Sequence, residues 1–184
     1  TKFVLGKIPA FTVLELRFFF ALIILYIFLI KSKPKKIERQ DYKYLLAIGL
    51  LGGFLTNLGV TLGVKYSTAS ISSLINAMNP ITIMIFSAIF LKEKITPRKV
   101  ICVILAIIGV YVILGAGEGK ETVIGVMFSI LAVVSWSLAS IVMRMIAKKY
   151  SAIQITACYI TIAFVFTMPM VFSEIKATPD IRFD

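Results

Sequence analysis

There is no histidine among these 184 residues, only two cysteines and one tryptophan, and acidic side chains number nine against twenty basic ones. Each shortage removes a class of chemistry. Without histidine or a cluster of cysteines and carboxylates, a metal centre has no ligand set. Cys102 and Cys158 each lie inside an apolar run, which argues against a disulfide framework and for small packing residues. Catalytic groups are nowhere gathered together, so neither an enzyme nor a cofactor is expected. The net charge of +11 raises the question of nucleic acid. No basic stretch is interleaved with aromatics on a soluble surface, so nucleic acid is not expected as a partner. A cleavable secretory signal, one short apolar run followed by small residues, does not fit the start of the chain either.

Charge of any sign is scarce at 16%, against 59% apolar residues and a mean hydropathy of +0.97. A soluble fold could not hide that much apolar surface. Five blocks contain no Asp, Glu, Lys or Arg: Tyr44 to Val64, Tyr66 to Leu91, Val100 to Gly117, Thr122 to Met143 and Tyr150 to Ser173. At about 1.5 Å of helical rise per residue, each can cross a hydrocarbon core roughly 30 Å thick, with the Val100 block near the lower limit. A sixth block, Phe11 to Ile30, carries Glu15 and Arg17. The expected fold class is therefore an all-α membrane protein, a multi-spanning helical bundle of six crossings.

The basic residues support that count. With the Lys31 to Lys43 connection on the cytoplasmic side, cytoplasmic connections hold thirteen: Lys31, Lys33, Lys35, Lys36, Arg39, Lys43, Lys92, Lys94, Arg98, Lys99, Arg144, Lys148 and Lys149. The opposite face holds six: Lys2, Lys7, Lys65, Lys120, Lys176 and Arg182. This is the positive-inside bias of a multi-pass protein of the plasma membrane, with membrane lipid as the partner of the basic loops. Punctuation falls between the crossings, at Lys33-Pro34-Lys35-Lys36, at Thr96-Pro97 before a helix that starts near Arg98, and at Gly115 to Gly119. The last twelve residues, Ser173 to Asp184, turn polar and read as an external loop.

Laying Ile8-Pro9-Ala10-Phe11 on Tyr150-Ser151-Ala152-Ile153 sets Lys2 on Arg144 and superposes the apolar blocks that follow. The span at Ala152 comes five crossings after the span at Phe11. An odd number makes the two enter from opposite sides, an inverted-topology repeat of the kind many secondary transporters use.

Several polar residues inside the spans carry two readings. Glu15 is a candidate substrate or proton group, and Arg17 either lines a transport cavity or makes a structural ion pair, the two pointing to different faces. Asn57, Asn76 and Asn79 either form a pocket for polar solutes or hydrogen-bond between helices. Pro80 is expected mid-span, kinking its helix and placing the cavity near Asn76 to Pro80. Trp136, too deep for an interfacial belt, fills the bundle or walls the cavity. Gly49 with Gly53, Gly59 with Gly63, and a stripe of Ser70, Ser73 and Ala77 are read as close-packing positions.

The stretches Tyr66-Ser67-Thr68-Ala69-Ser70, Leu74 to Ile81, Leu91-Lys92-Glu93-Lys94-Ile95 and Gly109-Val110 resemble the end of an EamA-type repeat of the drug/metabolite transporter superfamily. Ile8 to Phe11 with Leu16-Arg17-Phe18 resembles that family's second helix, and Ser135-Trp136-Ser137 with Arg144 its sixth. The resemblance implies ten helices in two inverted five-helix halves. Residues 1–117 would be a partial first repeat, the tail of helix one and then helices two to five, and residues 118–184 would supply helices six and seven of the second. It implies transport of small organic solutes by alternating access, as exporter or exchanger, with a non-transporting scaffold or regulatory subunit as the alternative. A second copy of the chain, in a homodimer, stays open as a partner. Glu93 falls on the acidic position of the family's Leu-Gly-Glu motif, with Lys92 where glycine stands, and is read as a structural or gating ion pair.

Overall fold

A chain this apolar has one way to keep its backbone satisfied in lipid without closing a barrel, and that is to wind into helices whose hydrogen bonds are internal. The computed structural model describes residues 10–32, 34–93, 96–97, 100–101, 104–105, 108 and 123–177. Among them there are helices and turns and no strand. Helix α1 is Ala10–Lys31, and after a 3-10 turn at Arg39–Asp41 comes α2, Tyr42–Ile48. A π-helical stretch, Gly49–Leu55, leads into α3, Thr56–Tyr66. Next come α4, Ala69–Asn76, and α5, Asn79–Phe90. The two longest are α6, Val123–Ile146, and α7, Ala152–Ala177.

Five stretches among the described residues are long and apolar enough to cross a membrane: Phe11–Lys31, Arg39–Tyr66, Ala69–Phe90, Val123–Ile146 and Ala152–Glu174. They match five of the six expected blocks. The sixth, Val100 to Gly117, lies largely outside the described residues. So do Lys2, Ile8, Pro9, Lys94, Arg98, Lys99, Cys102, Gly109, Val110, the Gly115 to Gly119 turn, Lys120 and the tail beyond Ala177.

Three expectations are corrected. Pro80 does not kink a continuous helix: the chain closes α4 in a tight turn at Ala77 and Met78 and starts again, with Pro80 in the first turn of α5. A missing N–H costs nothing in a first turn, so the proline marks a helix start. The expected loop from Ser173 is helical to Ala177, since Ser-Glu-Ile-Lys-Ala contains no helix breaker. Ser70, Ser73 and Ala77 are exposed, and the packed small residue of α4 is Ser72, 1% exposed.

The chain divides into two compact units, Thr1–Phe54 with Ile146–Asp184, and Leu55–Met145. In the first, α1 and α2 lie against α7. The π-helical glycines allow a close approach: a Cβ on Gly49 would stand 2.5 Å from the Ile162 Cβ, and one on Gly53 2.5 Å from the Ala163 Cβ. Gly49 and Gly53 thus serve helix packing. The outer side of α1 carries Phe20, Ile24, Ile27 and Phe28, all exposed, as a lipid-facing surface requires.

In the second unit α6 packs on α3, α4 and α5 along a seam of glycine, alanine and serine. Gly59 faces the Phe128 carbonyl and Ala132, Gly63 faces Ser129 and Ser72, and Gly125 of α6 faces Ser67. Ser72, Ser87, Ser129, Ser135 and Ser137 are all at most 3% exposed. Without a hydrophobic driving force in lipid, small side chains bring helices close enough for dispersion and interhelical hydrogen bonds to hold them.

Candidate functional site

The second unit holds six of the eight expected site residues, and three of them, Asn76, Asn79 and Pro80, flank the break between α4 and α5. Thr68 caps α4 by accepting the Ile71 N–H, and the helix runs only to Asn76 before the turn. The Asn76 side-chain amide turns back and donates to the Ser72 carbonyl at 2.7 Å. Asn79 opens α5. Its backbone carbonyl accepts from the Thr82 hydroxyl at 3.0 Å, while its side-chain oxygen Oδ1 is buried with no hydrogen-bond partner among the described residues. A buried amide oxygen left unpaired costs on the order of 1–3 kcal/mol, so the start of α5 holds an unmet acceptor.

Facing this break, α6 offers a ladder of hydroxyls. Ser129 donates to the Gly125 carbonyl and meets the Ser72 hydroxyl at 3.1 Å. Ser137 donates to the Val133 carbonyl, and its oxygen lies 2.5 Å from the Thr82 hydroxyl. Trp136, half-buried, sits between the buried Ser135 and Ser137, and its backbone carbonyl accepts from Ser140. Asn57, half-buried on α3, belongs to the same unit.

Glu93 pairs with Arg144 at 3.3 Å, and the same guanidinium nitrogen donates to the Ser87 hydroxyl at 3.2 Å, tying the end of α5 to α6. Lys92 has φ 51, the left-handed region, as α5 terminates. This is where the EamA-type motif that the sequence resembles has glycine, and at this φ a Cβ is strained. Lys92→Gly is expected to raise stability by about 1 kcal/mol, read as a higher melting midpoint of the purified whole protein. An unchanged or lower midpoint would show that the lysine side chain offsets the strain.

Glu15 and Arg17 belong to the first unit. Arg17 is exposed on α1, whereas Glu15 is half-buried and accepts from the Thr167 hydroxyl of α7 at 2.6 Å. Glu174 of α7 accepts the backbone N–H groups of Phe11 and Thr12, satisfying two orphan donors of the first turn of α1.

Sequence reasoning missed a polar clasp at the membrane edge of the same unit. Asp41, 4% exposed, accepts from the Tyr150 hydroxyl at 2.8 Å and from Lys149 at 3.0 Å. Glu38 donates its backbone N–H to the Tyr150 oxygen and accepts from Gln40 and Lys149. Gln154, 4% exposed, donates to the Lys35 carbonyl at 2.6 Å. Asp41 and then Glu38 hold the Lys149 ammonium above the usual lysine range, and Gln40 and Lys149 hold the Glu38 carboxyl below its own. A cavity of about 310 Å³ lies beside the clasp, lined by Ser32, Pro34, Lys35, Lys148, Lys149, Tyr150, Ser151 and Gln154. The residues involved are more than a hundred positions apart, and no local pattern in the chain joins them.

Comparison with known proteins agrees with this architecture. Residues 1–115 match the model of the EamA-like transporter family. The chain is 29% identical over 180 residues to the uncharacterized transporter YetK of Bacillus subtilis (strain 168), covering 94% of this chain and 54% of that protein. It is 35% identical over 109 residues to the uncharacterized transporter YvbV of the same organism, covering 59% and 36%. An uncharacterized transporter of Archaeoglobus fulgidus is 28% identical over 123 residues, covering 67% and 44%. The chain thus spans about half the length or less of these curated relatives. The membrane-length helices and the family match together make this a multi-pass protein of the cell membrane, and the chain belongs to the EamA-like transporter family.

Proposed function

We propose that the whole protein is a secondary transporter that moves small organic solutes, such as metabolites, amino acids or drugs, as an exporter or exchanger. Family membership and the relatives' names support transport. The orphaned Asn79 oxygen at the α4–α5 break carries the solute site, because interrupted spans expose backbone and side-chain groups to a ligand where continuous helices do not. In this reading Asn57, Asn76, Asn79 and Trp136 of the second unit contact solute, while Pro80 fixes the break; Arg17 of the first unit is a separate solute-contacting candidate. The Glu93–Arg144 pair gates the end of α5, and Glu15 couples transport to an ion. Residues 1–117 and 118–184 belong to two inverted halves that rock to give alternating access.

Flux of radiolabelled amino acids, nucleosides and organic cations into proteoliposomes holding the whole protein is the test. Saturable flux of one class, absent from empty vesicles, is expected. Absence of flux for every class, from protein that is monodisperse and folded, would favour a non-transporting scaffold or regulatory subunit instead.

A further inference from the structure

The Thr167 side chain has one hydroxyl proton and three acceptors within reach: Glu15 Oε2 at 2.6 Å, the Ala163 carbonyl at 2.9 Å and the Phe164 carbonyl at 3.2 Å. It can serve only one of them well at a time. Thr167 is fully buried in α7, where a hydroxyl normally bonds back to a carbonyl of its own preceding turn. Glu15 Oε1, on the neighbouring helix, is buried with no hydrogen-bond partner among the described residues, and so is Thr12 Oγ1. Thr12 and Glu15 are three residues apart on α1 and therefore share a face. A carboxylate inside a span, with one oxygen orphaned and the other resting on a hydroxyl committed elsewhere, is an expensive arrangement. A carboxylic acid is not.

We propose that Glu15 is a proton-binding site within the membrane, holding its carboxyl neutral against Thr167. The proton comes from water at one face and forms an O–H bond on Oε2. That group donates to Thr167 Oγ1, the Thr167 hydroxyl donates to the Ala163 carbonyl, and every proton in the chain then has one acceptor. Loss of the proton to water leaves a carboxylate that keeps its hydrogen bond from Thr167 only if that hydroxyl gives up its carbonyl, so the α1–α7 contact loosens. The proton thus sets the packing of α1 on α7, and this identifies the coupling ion of the transporter reading, on which that last step rests.

Among the charged groups of α1 and α7, Glu174 is engaged one turn earlier by the Phe11 and Thr12 amides, and Arg17, Lys31 and Lys176 are exposed. Among the described residues the Glu15 carboxyl is hydrogen-bonded to Thr167 and ion-paired with no cationic side chain.

Infrared difference spectroscopy of the reconstituted whole protein, titrated with pH, reads the carboxyl directly. A protonated-carboxyl stretch at neutral pH that disappears in Glu15→Gln and persists in Glu174→Gln is expected. Thr167→Val, which keeps Glu15, is expected to shift that band by removing its hydrogen-bond partner, and it guards against a Glu15→Gln variant that does not fold. Wild-type spectra without such a band, or a band that neither Glu15→Gln nor Thr167→Val alters, would overturn the proposal. Because the band is read without transport, its presence in protein that moves no solute would sink the transporter reading and leave the proton site standing.

Discussion

Leucine in place of Gly59 is expected to separate α3 from α6 and to cost the protein most of its cooperative thermal transition. The Cβ alone would stand 2.6 Å from the Phe128 carbonyl oxygen and 3.0 Å from both the backbone nitrogen and the Cβ of Ala132. Two of these three neighbours are backbone, so they cannot swing aside as the end of a long side chain could. Alanine at this position is expected to cost about 1–3 kcal/mol, the usual range for overpacking. Leucine adds three more carbons in the same direction and pushes the helices apart. The serine seam opens with them, since the Ser129–Ser72 contact lies one turn along the same interface. Against a net stability of only about 5–15 kcal/mol for a typical domain, that loss is large. Thermal unfolding in detergent, followed by circular dichroism, checks it. A Gly59→Leu protein that melts with the wild-type midpoint would mean that α3 and α6 are not in contact at this residue.

Asn79→Leu is expected to act in the opposite sense on stability and far more strongly on function. Asn79 Oδ1 is buried and has no partner among the described residues, so the folded protein carries an uncompensated polar atom there. An apolar side chain of similar size removes that burden, and the melting midpoint is expected to stay level or rise. If the orphan oxygen receives a solute donor during transport, the same change removes one hydrogen bond from the bound state and lowers flux at least about tenfold, equivalent to roughly 1.4 kcal/mol. A substitution that holds or raises stability while depressing activity is the mark of a functional rather than a structural polar residue. Flux at the wild-type level in a stable Asn79→Leu protein would show that the asparagine is only tolerated.

The broad architecture was legible because it rests on length and composition. Lipid forces backbone groups to pair within each segment, so apolar blocks longer than the hydrocarbon thickness declare themselves as spans, and among the described residues four charge-free blocks and the block carrying Glu15 and Arg17 were found where expected. Glycine spacing was equally telling for Gly49 and Gly53 and for Gly59 and Gly63, because a bare Cα has little other use in the middle of such a helix. Serine is not so readable. Ser70, Ser72 and Ser73 are near neighbours of the same chemical type, and only the direction in which α4 meets α6 decides that Ser72 is buried. Asparagine shares that ambiguity: Asn76 bonds its own helix, while Asn79, three residues later, is left with an orphan oxygen because a new helix begins at it. Pro80 announced an interruption, but whether the helix would bend or restart depended on the turn at Ala77 and Met78. The Asp41 clasp and the Glu15–Thr167 contact join residues 109 and 152 positions apart, and pairs so distant acquire meaning only once the helices are assembled.

That solute passes the α4–α5 break is the central claim, and substituted-cysteine accessibility at Asn79 tests it most directly. In the whole protein, with Cys102 and Cys158 replaced by serine, Asn79→Cys is labelled with a membrane-impermeant maleimide from each side of sealed proteoliposomes. Labelling from both sides, slowed by the transported solute, is what alternating access at this break requires. A cysteine at position 79 that reacts from neither side, while a loop control at Lys36→Cys reacts, would place Asn79 in lipid or in a dry interface and contradict the account.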